Sequence, residues 1–196
     1  MNPILRIAVN ALGFNLGWFG CVLASRWDAP LAAIPVVALV VAVHLTLAAR
    51  DDRMREAGAV ALIGVIGTVV DSAMLGAGVL AFGGSHALSI TFVLWIGAFW
   101  VNFACTLGVA LRWLRGRPIL AAVLGGISAP GTYYAGELLG ALTLHDDALV
   151  WSLALGIEWA VMLPLISALQ ARLTRPAAAP GPSPRGNTAS AGTRSP

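Results

Sequence analysis

The sequence predicts an all-α fold: a polytopic membrane protein built as a bundle of six transmembrane helices, with both termini in the cytoplasm. Three observations carry this. Of 196 residues, 58% are hydrophobic and only 11% charged, with a mean hydropathy of +0.83. With the 22 glycines added, the apolar share lies far above the roughly 45–50% of a soluble domain. Second, the apolar residues fall into six runs, each near the roughly 20 residues that a helix needs to cross a hydrocarbon core about 30 Å thick. Third, the arginines collect on one side of the resulting topology. The same numbers exclude a water-soluble globule and, for most of the chain, disorder, which needs low hydrophobicity and high charge.

The runs are residues 4–25, 30–49, 57–82, 88–111, 119–142 and 148–170. Backbone groups in lipid are satisfied only within the segment, so each run is expected to be helical. The first resembles a secretion signal in having Arg6 before an apolar stretch, but Asn10 and Asn15 interrupt it. The stretch Trp18-Phe19-Gly20-Cys21 also lacks the small aliphatic pattern of a lipoprotein cleavage site, so it is read as a retained span. The second run opens at Pro30 and the fifth follows Pro118, positions where a missing N–H costs a helix little. The separators are short, which makes consecutive helices antiparallel neighbours.

All 12 basic residues are arginine. Arg6, Arg50, Arg53, Arg55, Arg112, Arg115, Arg117, Arg172, Arg175, Arg185 and Arg194 fall on one side and Arg26 alone on the other, which places both termini inside. Residues 1–172 form the predicted six-span domain. Residues 173–196, rich in Ala, Pro, Gly, Ser and Arg from Pro176 onward, read as a disordered cytoplasmic tail. The net charge of +3 comes from clusters flanking apolar runs, so it reports orientation and not nucleic-acid binding. Cys21 and Cys105 fall at depths that differ by roughly 20 Å at about 1.5 Å per residue, too far for a disulfide. No C-x-x-C, H-x-x-x-H or zinc spacing occurs; no metal and no cofactor is expected.

An offset of 64 aligns Gly67, Thr68, Leu75, Gly76, Ala77, Leu80 and Trp95 with Gly131, Thr132, Leu139, Gly140, Ala141, Leu144 and Trp159. This is either a parallel repeat of two hairpins or chance in a sequence dominated by Gly, Ala and Leu.

Polar residues at membrane depth are costly and mark candidate sites. Asp71 and Glu158 fall near the middle of spans three and six, Asn15 and Asn102 near mid-depth on spans one and four, Glu137 in the outer half of span five and His44 in the inner half of span two. Helical spacing puts Gly64, Gly67, Asp71, Leu75 and Gly78 on one glycine-rich stripe that another helix approaches closely. Trp95, Phe99, Asn102 and Thr106 share a face, as do Gly126, Pro130, Tyr133, Glu137 and Gly140, and Trp151, Leu155, Glu158 and Met162. Asn15, Asp71, Asn102 and Glu158 are expected to meet in one polar layer at mid-membrane. The competing reading makes each a hydrogen-bonded link between helices. Pro130-Gly131, inside Ser128–Thr132, is expected to kink or break span five; it either frees backbone groups for a ligand or forms a packing kink stabilised by Ser128 or Thr132.

Gly67-x-x-x-Asp71-Ser72, Leu94-Trp95 with Phe99 and Thr106-Leu107, Leu111-Arg112-Trp113-Leu114, and Pro130-x-x-Tyr133-x-Ala135-Gly136-x-x-Leu139-Gly140-Ala141 resemble a bacterial inner-membrane family known as domain of unknown function 2878. The likeness covers roughly residues 8–170. It implies a small multi-span protein of the bacterial inner membrane with no assigned activity, and a neighbourhood of fatty-acid-modifying enzymes of the cyclopropane-synthase kind. Asp71, Trp95, Pro130, Tyr133, Gly136 and Gly140 match the family pattern, and Glu137 falls where the pattern is open. Between Leu107 and Leu111 the resemblance implies an Asn-His-Ser-like stretch; Gly108-Val109-Ala110 stands there instead, which removes any chemistry needing that histidine.

The reading drawn from these residues is a membrane protein, with the lipid bilayer as its partner, whose polar pocket binds or moves a lipid-like or other small molecule. Two alternatives stand beside it. An intramembrane enzyme acting on acyl chains would need acid and base groups in mutual reach, and His44, His86 and His145 fall at different depths. An accessory subunit among lipid-modifying enzymes would suit the small size and the glycine-rich faces.

Overall fold

The computed structural model describes residues 2–48 and 52–175. Arg50 and the tail from residue 176 on, with Arg185 and Arg194, lie outside the described residues. Six α-helices are formed among the described residues: α1 Pro3–Arg26, α2 Ala33–Leu47, α3 Arg53–Gly76, α4 Ile90–Leu107, α5 Pro118–Leu138 and α6 Ala148–Leu173. Two short strands, β1 Leu80–Ala81 and β2 Thr143–Leu144, pair antiparallel, Leu80 opposite Leu144 and Ala81 opposite Thr143. The two segments related by the offset of 64 therefore meet at this ladder.

The helix limits correct several expected ones, for local reasons. α3 starts four residues before the predicted 57 and stops six before 82; α5 stops at 138 and not 142. Both are ended by a glycine in the left-handed region, Gly78 at φ 74° and Gly140 at φ 77°. Beyond each, the backbone closes back on the last turn: Val79 N–H donates to the Met74 carbonyl at 3.0 Å and Ala141 N–H to that of Gly136 at 2.9 Å. α1 ends the same way at Asp28, φ 54°, with Ala29 N–H on the Ala24 carbonyl at 2.9 Å. Gly78 therefore sits past the end of α3 and does not belong to its glycine stripe. α4 starts at a serine cap, where Ser89 Oγ accepts from Phe92 N–H at 3.1 Å, and α6 at an aspartate cap, where Asp147 Oδ1 accepts from Leu149 N–H at 2.8 Å. At its other end α6 continues to Leu173, past the predicted 170.

The helix break expected at Pro130-Gly131 is absent: α5 runs unbroken from Pro118 to Leu138. Ser128 Oγ and Thr132 Oγ1 back-bond to the carbonyls of Leu124 and Ser128 at 2.7 and 2.9 Å. Pro130 leaves the Gly126 carbonyl without its helical donor. That carbonyl lies against Gly156 of α6, where a Cβ would stand only 3.2 Å from it. Glycine there permits a close Cα–H contact with the orphan oxygen.

Five helices, counting Pro30–Leu47 as one, are long and apolar enough to cross a membrane among the described residues. α5 has the length but is diluted by glycines, Ser128, Thr132 and two tyrosines. Ile4, Leu12, Val65, Val69, Ile127 and Ile157 are exposed on the outer faces, as lipid-facing side chains would be. α4 is the central element, packed on α1, α2 and α3; α6 joins α3 to α5. The glycine stripe of α3 makes this possible: a Cβ on Gly64 would meet Val101 Cγ2 at 2.6 Å, and one on Gly67 would meet the Trp100 ring at 1.8 Å.

Candidate functional site

Asp71 is 1% exposed and lies five residues before the end of α3, nearer the strand end of the bundle than the mid-span position the sequence assigned. Trp100 Nε1–H donates to its Oδ2 at 2.6 Å and Tyr133 O–H to its Oδ1 at 2.6 Å. Three helices therefore converge on one carboxylate. Gly67 lets the indole ring of Trp100 lie flat on α3, and Trp159 of α6 stacks on that ring at 4.8 Å and 10°.

Beside this knot is a cavity of about 80 Å³. Trp18, Trp95, Phe99, Trp100, Phe103 and Trp159 give it aromatic walls, Asp71 and Tyr133 a polar corner, and Gly136 a gap on the α5 side. Trp95 is fixed by its Nε1–H, which donates to the Cys21 carbonyl at 3.0 Å, and by Phe99 edge-on at 5.0 Å. Ala141 and Leu142 line this chamber and also a wider cavity of about 530 Å³ at the strand end, which is bordered by Ser25, Asp28, Phe82, Thr91 and Glu137. The two cavities thus adjoin, an aromatic chamber below a polar vestibule.

The predicted polar layer is only partly assembled. Asp71 and Tyr133 meet. Asn102, fully buried, is held by the Phe14 carbonyl at 2.9 Å, and its Oδ1 faces Gly17, where a Cβ would stand 2.1 Å away. Asn102 is an interhelical link and does not line the chamber. Asn15 is exposed and donates to the carbonyl of Ala11 in its own helix at 2.8 Å, so it takes no part. Glu158 is 7% exposed and neither carboxylate oxygen has a hydrogen-bond partner among the described residues. Glu137 accepts from Leu144 N–H at 2.7 Å, which fixes β2 and borders the vestibule. Pro130 and Gly131 face α6 and the surface and are outside the chamber.

A second buried polar cluster escaped the sequence. At the opposite end of the bundle, His44 Nε2–H donates to Glu56 Oε1 at 3.0 Å, and His44 Nδ1 accepts from Asn10 Nδ2 at 3.3 Å. Asn10 also donates to the Cys105 carbonyl at 3.0 Å and accepts from Ala110 N–H at 3.2 Å. Gln170 Nε2 donates to both Glu56 oxygens, at 3.2 and 3.1 Å, and its Oε1 accepts from Arg115. The amide, imidazole and carboxylate groups each have a role matching their donor or acceptor inventory, and Arg115 Nε alone of the cluster has no partner among the described residues; the network joins α1, α2, α3, α4 and α6. Burial, then Arg112, lowers the pKa of the Arg115 guanidinium, and Glu56 opposes them. Gly108 makes room, since a Cβ there would stand 2.5 Å from Glu56 Oε1. Among the described residues no group of three or more His, Cys, Asp or Glu side chains is placed to hold a metal ion.

A family model described as protein of unknown function (DUF2878) matches residues 7–165. The chain belongs to this family. The DUF2878 match takes in every residue of the aromatic chamber and stops short of Gln170. No curated protein and no solved structure matches the chain.

Proposed function

We propose that this protein is a six-span binding protein of the bacterial cytoplasmic membrane, with both termini inside, which takes up a small amphipathic molecule from the strand end of the bundle. The molecule's compact, apolar-surfaced part enters the aromatic chamber and its polar remainder stays in the vestibule. The observation that carries this is the adjacency of two cavities of opposite character, which share Ala141 and Leu142 in their walls. A cavity of about 80 Å³ is smaller than the roughly 150 Å³ hollow that holds benzene, so it suits a group of a few heavy atoms and not a whole lipid chain. The sixth crossing is α5, supported by its length of 21 residues and its packing on α6. The one-sided arginines support the orientation.

Gly136→Leu tests the binding reading. Gly136 is buried on the chamber wall, and a Cβ there would meet nothing nearer than Leu142 Cδ2 at 4.0 Å. A Cβ is accommodated there and the rest of the leucine is expected to occupy the chamber; thermal unfolding of the variant beside the wild type checks that it assembles. Organic extracts of the purified protein, analysed by mass spectrometry, are expected to contain a molecule enriched with the wild type and lost with the variant. Identical extracts would remove the reading. For topology, Asn2→Cys and Thr174→Cys are expected to react with an impermeant thiol reagent only from the cytoplasmic side, and Ser85→Cys only from the other.

A further inference from the structure

The chamber is walled by aromatic side chains, and the ionisable groups that line it and its vestibule are Asp71, Tyr133, Asp28 and Glu137. Trp100 and Trp159 stack at 4.8 Å, and Phe103 meets Trp159 edge-on at 5.0 Å. Both oxygens of Asp71 already accept bonds, and both donors, an indole and a phenol, are neutral. Glu158, which is outside the lining of both cavities, is 93% buried, and neither of its oxygens has a partner among the described residues. The vestibule adds Asp28 and Glu137 and has no arginine among its lining residues. Arg26 on the same rim directs its Nη1–H to the Leu139 carbonyl at 3.2 Å. A buried carboxylate is costly in its charged form unless a cation accompanies it, so a bound cation would stabilise that form. Aromatic rings around the chamber attract a cation through their quadrupoles.

The cation that fits has no N–H to satisfy. An ammonium with free donors would need several acceptors, and the chamber's lining offers few: Asp71 keeps only the lone pairs that Trp100 and Tyr133 leave, and the other walls are almost wholly hydrocarbon and ring. A quaternary ammonium needs only charge compensation and π contact. Its methyl groups also match the compact chamber.

We propose that the chamber binds a quaternary ammonium group, with the rest of the ligand extending into the vestibule. The proposal rests on the binding reading above and names the chemistry of its ligand. The group could arrive on a free solute of the choline type or on a lipid headgroup, and the two sources are separable by experiment.

The purified full chain is placed in nanodiscs of phosphatidylglycerol, and tryptophan fluorescence is followed during titration with choline chloride. A parallel titration uses 3,3-dimethylbutan-1-ol, the neutral isostere in which carbon replaces nitrogen. Choline is expected to bind about tenfold or more tighter, as a single desolvated cation–π contact allows. Asp71→Asn is expected to erase that preference and Glu158→Gln to weaken it; Glu158→Gln breaks no hydrogen bond among the described residues and serves if Asp71→Asn fails to assemble. Phosphatidylcholine added to the nanodiscs is expected to suppress the choline response if the lipid headgroup occupies the site, and to leave it unchanged if the free solute is the ligand. Equal binding of choline and its isostere would overturn the cation proposal while leaving an apolar binding chamber intact. No response to choline in phosphatidylglycerol would overturn it as well, and the Gly136→Leu extraction then decides separately whether the chamber binds anything.

Discussion

The contact between Gly67 and Trp100 gives the sharpest test of the architecture around Asp71. A Cβ at residue 67 would stand 1.8 Å from Trp100 Cδ2 and 2.2 and 2.3 Å from two further ring atoms. An ordinary carbon–carbon contact is about 3.5–4.0 Å, so in Gly67→Ala the indole has to move by more than about 1.5 Å. A rigid ring held between α3 and Trp159 cannot yield that distance without leaving Asp71. The Nε1–H bond, 2.6 Å in the native structure, is then lost. Loss of a bond to a charged acceptor costs about 1.5–3 kcal/mol, and overpacking adds about 1–3 kcal/mol. The gain in helix propensity returns about 0.5–1 kcal/mol. The expected net loss is about 2–5 kcal/mol. Gly131→Ala is the control, since a Cβ there would meet nothing within 4 Å in the same kind of helical setting; it is expected to stabilise by about 0.5–1 kcal/mol. Thermal unfolding in detergent, followed by tryptophan fluorescence, reads both. Equal stability of Gly67→Ala and wild type would refute the packing argument.

Further outcomes follow from the same contacts. Tyr133→Phe removes the second donor to Asp71 and is expected to cost about 1.5–3 kcal/mol in the same unfolding assay, with little change in the Trp100 environment. Gln170→Leu strips both Glu56 oxygens of a donor and leaves Arg115 without its acceptor; a loss of about 1–3 kcal/mol for each unsatisfied buried group is expected, larger than for a leucine placed at exposed Arg172. Cys21 and Cys105, both buried and free, are expected to resist a permeant maleimide in native micelles and to react fully in SDS, as counted by intact mass.

Asp71 was legible in the sequence because a carboxylate in an apolar run, with Gly64 and Gly67 on its own face, has to lie on the side that packs against another helix. Its main partner was hidden. Trp100 lies outside the stripe of Trp95, Phe99, Asn102 and Thr106, and an aromatic residue in a span carries no mark that separates a ligand wall from ordinary core. Asn15 was misplaced although the signal existed. Asn10, Gly17, Cys21 and Ala24 are the buried line of α1, and Asn15 lies about 140° from Asn10 at 3.6 residues per turn. The network at His44 was unreadable for a different reason. Its members come from five helices, and Glu56 belonged to a separator until α3 was seen to begin at Arg53. The helix break at Pro130 failed as an expectation, while the alternative of a packed helix with Ser128 and Thr132 bonded back to it agrees with the hydrogen bonds of both hydroxyls; the glycine that lies against the Gly126 carbonyl is on another helix, and no local pattern announces it.

That last junction bears on how the chain reaches its final place. In the six-span arrangement, α5 is the least apolar crossing, and without α6 the Gly126 carbonyl would face lipid with no helical donor. Its shelter is Gly156, which emerges from the ribosome only after the loop that follows α5. The last two helices should therefore be released into the bilayer as a pair, with α6 acting as chaperone to its predecessor. A nascent chain halted before residue 148 would leave the Gly126 carbonyl without the glycine that lies against it in the finished bundle.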